Sequence, residues 1–169
     1  MIDADYGRLM VRYNIWQNAQ SMPVLEAMPQ DALTEDRGGF FAGLLATVNH
    51  LLWGGIIRVS RSDPSVKAPA GSIPENVKLH PTAGSRAAAR FHMDGKMRIW
   101  AKALDTIDLT GPLARYSGAL SREVRALMAA TVVHFFNHQT HHRGQSNSMP
   151  TDMDENAPVS DLFIMPEEV

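Results

Sequence analysis

Apolar residues recur along this chain at helical intervals in four segments. The first runs from about Asp3 to Met28, where Tyr6, Leu9, Tyr13 and Trp16 return every three or four positions. Asp3 suits the N-cap, Pro23 predicts a kink or break inside the segment, and Pro29 ends it. The second spans about Arg37 to Arg61. Phe41, Leu44, Leu45, Val48, Leu51, Leu52 and Ile56 form a broad apolar face, beside a stripe of small residues, Gly43, Thr47 and Gly54, with His50 in its middle. Small residues let a neighbouring helix or a ligand come close. Residues 62–84 read as a loop, with four prolines and two glycines, long enough to cross a bundle or cover a site. The third helix is expected over Ser85 to Asp108, with Met93, Met97, Trp100, Leu104 and Ile107 as its seam. After the break at Gly111-Pro112, a fourth is expected over Ser121 to Ser146, capped by Ser121. Its stripe is Val124, Met128, Thr131, Phe135, His138, His142 and Gln145, apolar at the start and imidazole-rich at the end. Residues 147–169 read as a polar tail whose Leu162-Phe163-Ile164-Met165 patch packs back on the helices. Four helices with one long crossover predict an all-α four-helix bundle in a single domain over residues 1–169.

Composition narrows the classes. Hydrophobic residues make up 44% of the 169 and charged residues 20%, which excludes global disorder. With 16 Lys and Arg against 18 Asp and Glu the net charge is −2, so no basic excess exists to neutralise phosphates and no nucleic-acid partner is expected. There is no cysteine, which removes disulfides, thiolate metal sites and a cysteine nucleophile. The opening MIDADYGRLM lacks the basic-then-apolar layout of a signal peptide, and no apolar run is long enough to span a bilayer. A cytoplasmic location without a membrane partner is expected.

The chemistry concentrates in His134-Phe-Phe-Asn-His138-Gln-Thr-His141-His142-Arg-Gly-Gln145. Residues i and i+4 of a helix lie one turn apart on the same face, so two imidazoles can address one metal ion. Two pairs qualify, His134 with His138 and His138 with His142. Angular position does not choose between them, while the heptad-like register favours the second. A divalent ion needs a third protein ligand, and His50, flanked by small residues, is the natural candidate. Three neutral imidazoles suit Zn, Ni, Cu or Fe and leave a position open for water or substrate. His80, in the loop, and His92, off the third seam, read as ordinary polar residues. His134 and His141 read as neighbours of the ligands or as surface groups. Burying several polar rings without partners costs a few kcal/mol, so the cluster calls for a ligand or a hydrogen-bond network.

Two segments, Asn49-His50-Leu51-Leu52-Trp53-Gly54 and His134 to Gln145, resemble the signature segments of the DinB family. Glu35-Asp36-Arg37-Gly38-Gly39-Phe40-Phe41 is similar to that family's lead-in to its second helix. The resemblance extends from Tyr13-Asn14-Ile15-Trp16 to Asp161-Leu162-Phe163. It implies a four-helix bundle with up-down-down-up connection, often dimeric, so a homodimer is expected. It also implies a divalent metal held by one His of the second helix and an HxxxH pair of the fourth, here His50, His138 and His142. Zn or Ni is expected first, with Mn or Fe as alternatives. Members resemble metal-dependent thiol transferases that use low-molecular-weight thiols such as bacillithiol, and mycothiol-dependent maleylpyruvate isomerase. The chain departs from the pattern in two places. Gly55 stands where relatives often carry an acidic residue. Ser146-Asn147-Ser148-Met149-Pro150 replaces an apolar extension, predicting that the fourth helix stops early.

The leading expectation is therefore a metal-dependent enzyme of thiol-transferase type, or a hydrolase, acting on a small molecule. Its metal would activate a thiol or water. Asn49, Asn137, Gln139, Arg143 and Gln145 are candidates, by position only, for supporting the ligands or touching substrate. Arg143 reads equally well as a surface charge near a helix C-terminus. No carboxylate in either signature offers a general base, which favours thiol transfer over hydrolysis. The rivals are a non-catalytic metal-binding stress-response protein and a plain helical protein whose histidines form a buried network.

Overall fold

Four long helices carry most of the buried apolar surface in the computed structural model, which describes residues 2–61, 63, 65–69, 71–117, 120–151 and 158–168. They are α1 (Ala4–Ala27), α3 (Leu44–Ser60), α5 (Ala83–Ala103) and α6 (Met128–Thr151). Two short helices, α2 (Gln30–Thr34) and α4 (Ile73–Asn76), and one antiparallel hairpin, β1 (Pro112–Ser117) with β2 (Arg122–Leu127), complete the set among the described residues, with 3-10 turns at Thr106–Leu109 and Leu162–Ile164. At 65% helix the fold is mainly α. No helix among the described residues is long and apolar enough to cross a membrane.

Cross-helix contacts fix the directions. On α5, Arg86 donates from Nε to the Val48 carbonyl of α3 at 3.1 Å, and Arg90 lies against Gly55 further along both helices, so α3 and α5 run parallel. Asn18 of α1 donates to Asp94 of α5, whereas Gly7 meets Leu104, so that pair is antiparallel. The Tyr6 ring packs on Phe136 and Arg143 donates to Asn14, so α1 and α6 run parallel. A main core gathers Val11, Leu52, Met97, Val132 and Phe136. A second cluster, Leu25, Leu33, Leu44, Val48 and Met149, closes the other end.

Several boundaries differ from the periodicity. Asp3 caps α1 as expected, its side chain accepting from the Tyr6 N–H at 2.9 Å, but Pro23 does not break the helix. Leu25, buried in the second cluster, holds the last turn in place against the lost backbone bond. The second helix starts at Leu44 rather than Arg37. Gly38 and Ala42 take left-handed φ values of 69° and 62°, and the segment between them folds into a tight turn in which Ala42 N–H reaches the Gly39 carbonyl. The third begins behind Thr82, whose capping box uses Ser85, and stops at Ala103, leaving Ile107 exposed on a 3-10 turn.

The largest correction concerns the fourth helix. Ser121 is no N-cap; it has φ 49° beside the hairpin turn, and residues expected in the first two helical turns form β2. Val124 and Met128 are four apart, which satisfies a helix and also fits the alternating exposure of a strand leading into one. At its other end α6 does not stop at Ser146 but continues to Thr151, because Met149 is buried among Leu25, Leu44 and Val48. The apolar tail patch does not pack back either: Phe163 is 86% exposed. The tail is held by polar bonds instead. Tyr13 Oη donates to the Ser160 carbonyl at 2.6 Å, and Gln17 Nε2 to the Val159 carbonyl at 2.7 Å.

If the end of α6 belongs to the second cluster, Met149→Ala lowers unfolding stability by about 2–5 kcal/mol, the cost of emptying a buried methionine site. Urea unfolding measures it, and a change below about 0.5 kcal/mol, typical of a surface position, would refute that packing.

Candidate metal centre

His50 lies midway along α3, and His138 and His142 lie one turn apart on the facing side of α6. The helices approach closely at this level. A Cβ on Gly54 would sit 3.6 Å from His138 Cε1, ordinary contact for a methyl but closed to a larger side chain. His50 Nε2 and His138 Nε2 are 3.0 Å apart, and one ring nitrogen from each of the three histidines lies within 4.8 Å of the others. Nitrogens of a tetrahedral site with Zn–N bonds of about 2.0–2.1 Å are roughly 3.3 Å apart, so three imidazoles at this spacing can hold an ion. His50 and His142 are buried and His138 half-buried.

The outer ring nitrogens are held as a ligand site requires. His50 Nδ1 lies 3.0 Å from the Asn76 side-chain oxygen, and His142 Nδ1 lies 2.7 Å from that of Gln145. An amide oxygen only accepts, so each Nδ1 carries the proton and each Nε2 keeps its lone pair. Two such lone pairs cannot face each other at 3.0 Å unaided. A proton on His138 Nε2 or a shared cation must lie between them.

Burial pushes the His50 imidazole down to about 4, opposed by the Asn76 hydrogen bond and reinforced by His142. His138 is pushed down to about 3 by burial, then by His142, His50, His134 and His141. Burial also lowers His142, against its bond to Gln145. The cluster is therefore neutral at ordinary pH, the state in which imidazole binds metal.

Aromatic rings shield it. The tight turn before α3 brings the Phe41 ring to 4.3 Å from His50 and 5.3 Å from His142, and Trp53 stacks on His50 at 5.8 Å. On another side the site opens into a cavity of about 660 Å³. Its walls include His50, Trp53, His134, His138, Arg58, Arg61 and Arg115.

The remaining sequence candidates separate clearly. His134 is exposed on the cavity wall, and His141 is exposed beside His142. Gln145 supports His142, as its position suggested. Asn49 instead ties the crossover to α3, donating to the Val77 and His80 carbonyls at 3.0 and 2.9 Å. Gln139 ties α6 to α3 through the Leu51 carbonyl. Arg143 is neither a surface charge nor open to substrate; it is 4% exposed and donates to Asn14 of α1. Asn137 and His92 are exposed, and His80 is half-buried. Asn76 was not anticipated. The signal near it was the capping box Ser72-Ile-Pro-Glu75, which marks a helical turn in the crossover but not where that turn docks. At Gly55 a Cβ would point at Arg90, 3.3 Å away, and not at the imidazoles. Arg90 pairs with Asp94 at 2.8 Å.

No protein-family model matches the chain, and no curated protein matches it in sequence.

The depressed imidazoles give stability a pH dependence in metal-free protein. The unfolded chain takes up these protons near pH 6.5, but the folded chain only near 4 and 3. Below pH 6.5 the unfolded state binds more protons, so stability falls as pH falls through that window. Urea midpoints in chelator across this range are expected to drop for the wild type and to drop less for His138→Gln. Equal slopes would contradict the buried neutral cluster.

Proposed function

We propose that the chain is a DinB-like four-helix bundle in which His50, His138 and His142 bind a divalent metal, zinc or nickel first. We further propose that it works as a metal-dependent enzyme of thiol-transferase type. The helix directions support the bundle: α1 and α6 point one way and α3 and α5 the other, the up-down-down-up order expected from the sequence resemblance. One observation carries the metal: three neutral imidazoles converge, and two of them have their outer nitrogens fixed by Asn76 and Gln145.

A divalent ion bound there would act as a Lewis acid, lowering the pKa of a thiol or water that occupies its open position. The residues supply the rest. Phe41 and Trp53 exclude water from the His50 face. His134, one turn before His138 and exposed on the cavity wall, is placed to hold or pass a proton. No carboxylate lines the cavity among the described residues. A thiol, more acidic than water and itself the nucleophile once deprotonated, asks less of His134 than water does. The cavity also favours an enzyme over a purely metal-storing protein, which needs no room beside its ion.

Metal content by mass spectrometry on untagged protein tests this reading. Near-stoichiometric zinc or nickel is expected in the wild type and none in His50→Ala or His138→Ala. No metal, and no uptake on adding zinc or nickel, would remove the basis for the enzyme and leave the buried histidine network. In the same assay Asn76→Ala or Gln145→Ala should weaken metal affinity about 10- to 100-fold without abolishing it, as removal of a ligand's hydrogen-bond partner does.

A further inference from the structure

Three arginines share the cavity wall with the imidazoles. Arg58 comes from the last turn of α3, Arg61 follows that helix, and Arg115 projects from β1. They sense one another: burial is the main cause that pushes Arg58 down to about 10, and Arg61 and Arg115 add to it. Among the described residues none of the three forms an ion pair. Arg58 is only 5% exposed, yet its Nε and Nη1 have no hydrogen-bond partner, and neither does Nε of Arg115. The contacts Arg58 does make are weak ones, from Nη2 to the Met128 sulfur at 3.4 Å and over the Trp100 ring at 5.7 Å. Neither neutralises its charge.

The other buried arginines are treated differently. Arg86 reaches a backbone carbonyl, Arg90 a carboxylate and Arg143 an amide oxygen. A buried charged donor without a partner is costly, and clustered like charges add to that cost. Overall net charge does not explain the cluster, since the chain is slightly acidic. An anion in the cavity would offset this charge: the half-buried Arg61 and Arg115 can reach it with guanidinium nitrogens that match carboxylate or phosphate oxygens, while Arg58, turned toward Met128 and Trp100, adds its unpaired charge from behind.

We propose that Arg58, Arg61 and Arg115 form an oxyanion subsite that holds a carboxylate or phosphate group of a small substrate whose reacting end reaches His50 and His138. The substrate role rests on the proposed metal enzyme; the anion subsite stands on the arginines alone. One end of the cavity is then neutral and metal-binding, and the other is cationic. The ligand is an acidic small molecule, anchored by its charge and presented by its length.

Calorimetric titration of the full chain with inorganic phosphate and with succinate tests the subsite, with succinamide as the uncharged probe. At least one oxyanion is expected to bind, more weakly as salt rises, and succinamide not at all. Arg61→Gln and Arg115→Gln, both half-buried and checked for folding by circular dichroism, should each weaken binding about tenfold or more, ~1.4 kcal/mol. Arg61→Lys should recover part of the loss, and Arg98→Gln, exposed on α5, should bind as the wild type does. Tighter phosphate binding assigns a phosphorylated ligand; tighter succinate binding assigns a carboxylic acid. The same titration on His138→Ala in chelator separates this subsite from the metal: binding should persist there, and would do so even if the protein proved metal-free. Unchanged affinity in both Gln variants, binding lost in His138→Ala but kept in the arginine variants, or no binding of either oxyanion at millimolar concentration would each overturn the proposal.

Discussion

The close meeting of α3 and α6 at His50 and His138 is the constraint around which the site is organised. Two imidazole nitrogens 3.0 Å apart, one on a buried ring, are unfavourable unless something positive sits between them. The neighbouring structure serves that approach. Gly54 leaves room for the His138 ring, and Gln139 pins α6 to the Leu51 carbonyl. Asn49 anchors the crossover so that Asn76 meets the outer face of His50. The left-handed turn at Gly38 and Ala42 swings Phe41 over the cluster. Each is a local feature with a modest energy. Together they set the ring orientations, and the Asn76 and Gln145 acceptors at Nδ1 leave the inward nitrogens of His50 and His142 with their lone pairs.

On the far side of α6 the chain solves the opposite problem. His142 and Arg143 are consecutive, so they point in different directions about the helix axis. His142 turns to the imidazoles, and Arg143 enters the core to bond Asn14 and lie over the Tyr13 ring. Beside it Arg90 pairs with Asp94, which also accepts from Asn18. This polar seam joins α1, α5 and α6 through groups that would be costly to leave unpaired. It fixes the rotation of α6 and so the aim of its histidines. The Gly55 position belongs to this seam, where Arg90 already has its carboxylate.

How legible these features were depends on how local their causes are. Asp3 and the Met93–Met97 seam follow from i, i+3 and i, i+4 spacing and appear where the pattern placed them, whereas the α1 stripe is shifted: of its residues only Tyr13 is buried, Leu9 is exposed, and Val11 and Ile15 face the core instead. The imidazole cluster was legible for the same reason, since His138 and His142 are one turn apart and His50 lies in a small-residue stripe. The hairpin was not, because Val124 and Met128 satisfy both periods, and the turn at Ser121 is set by a backbone angle. Asn76 and Arg115 were hidden for another reason. Both reach the site from segments without helical periodicity, and only tertiary docking brings a crossover turn or a hairpin strand to a given helix face. Arg143 misled because a cation near a helix C-terminus is usually solvated, whereas here the tail and α1 cover that end of the molecule.

The cavity unites two electrostatic environments that proteins usually keep apart. One part of its wall is built from bases kept neutral by burial, and another from cations that lack counter-ions. A metal ion at the histidines would make the whole pocket positive, and no carboxylate among the described lining residues offsets it. Such a field favours a bound anion over neutral solutes and stabilises negative charge that develops during a reaction. It would equally favour the thiolate over the thiol in any sulfur ligand that entered. The lack of an acidic side chain among the described lining residues is then not a missing part of the site but a condition for its charge to act.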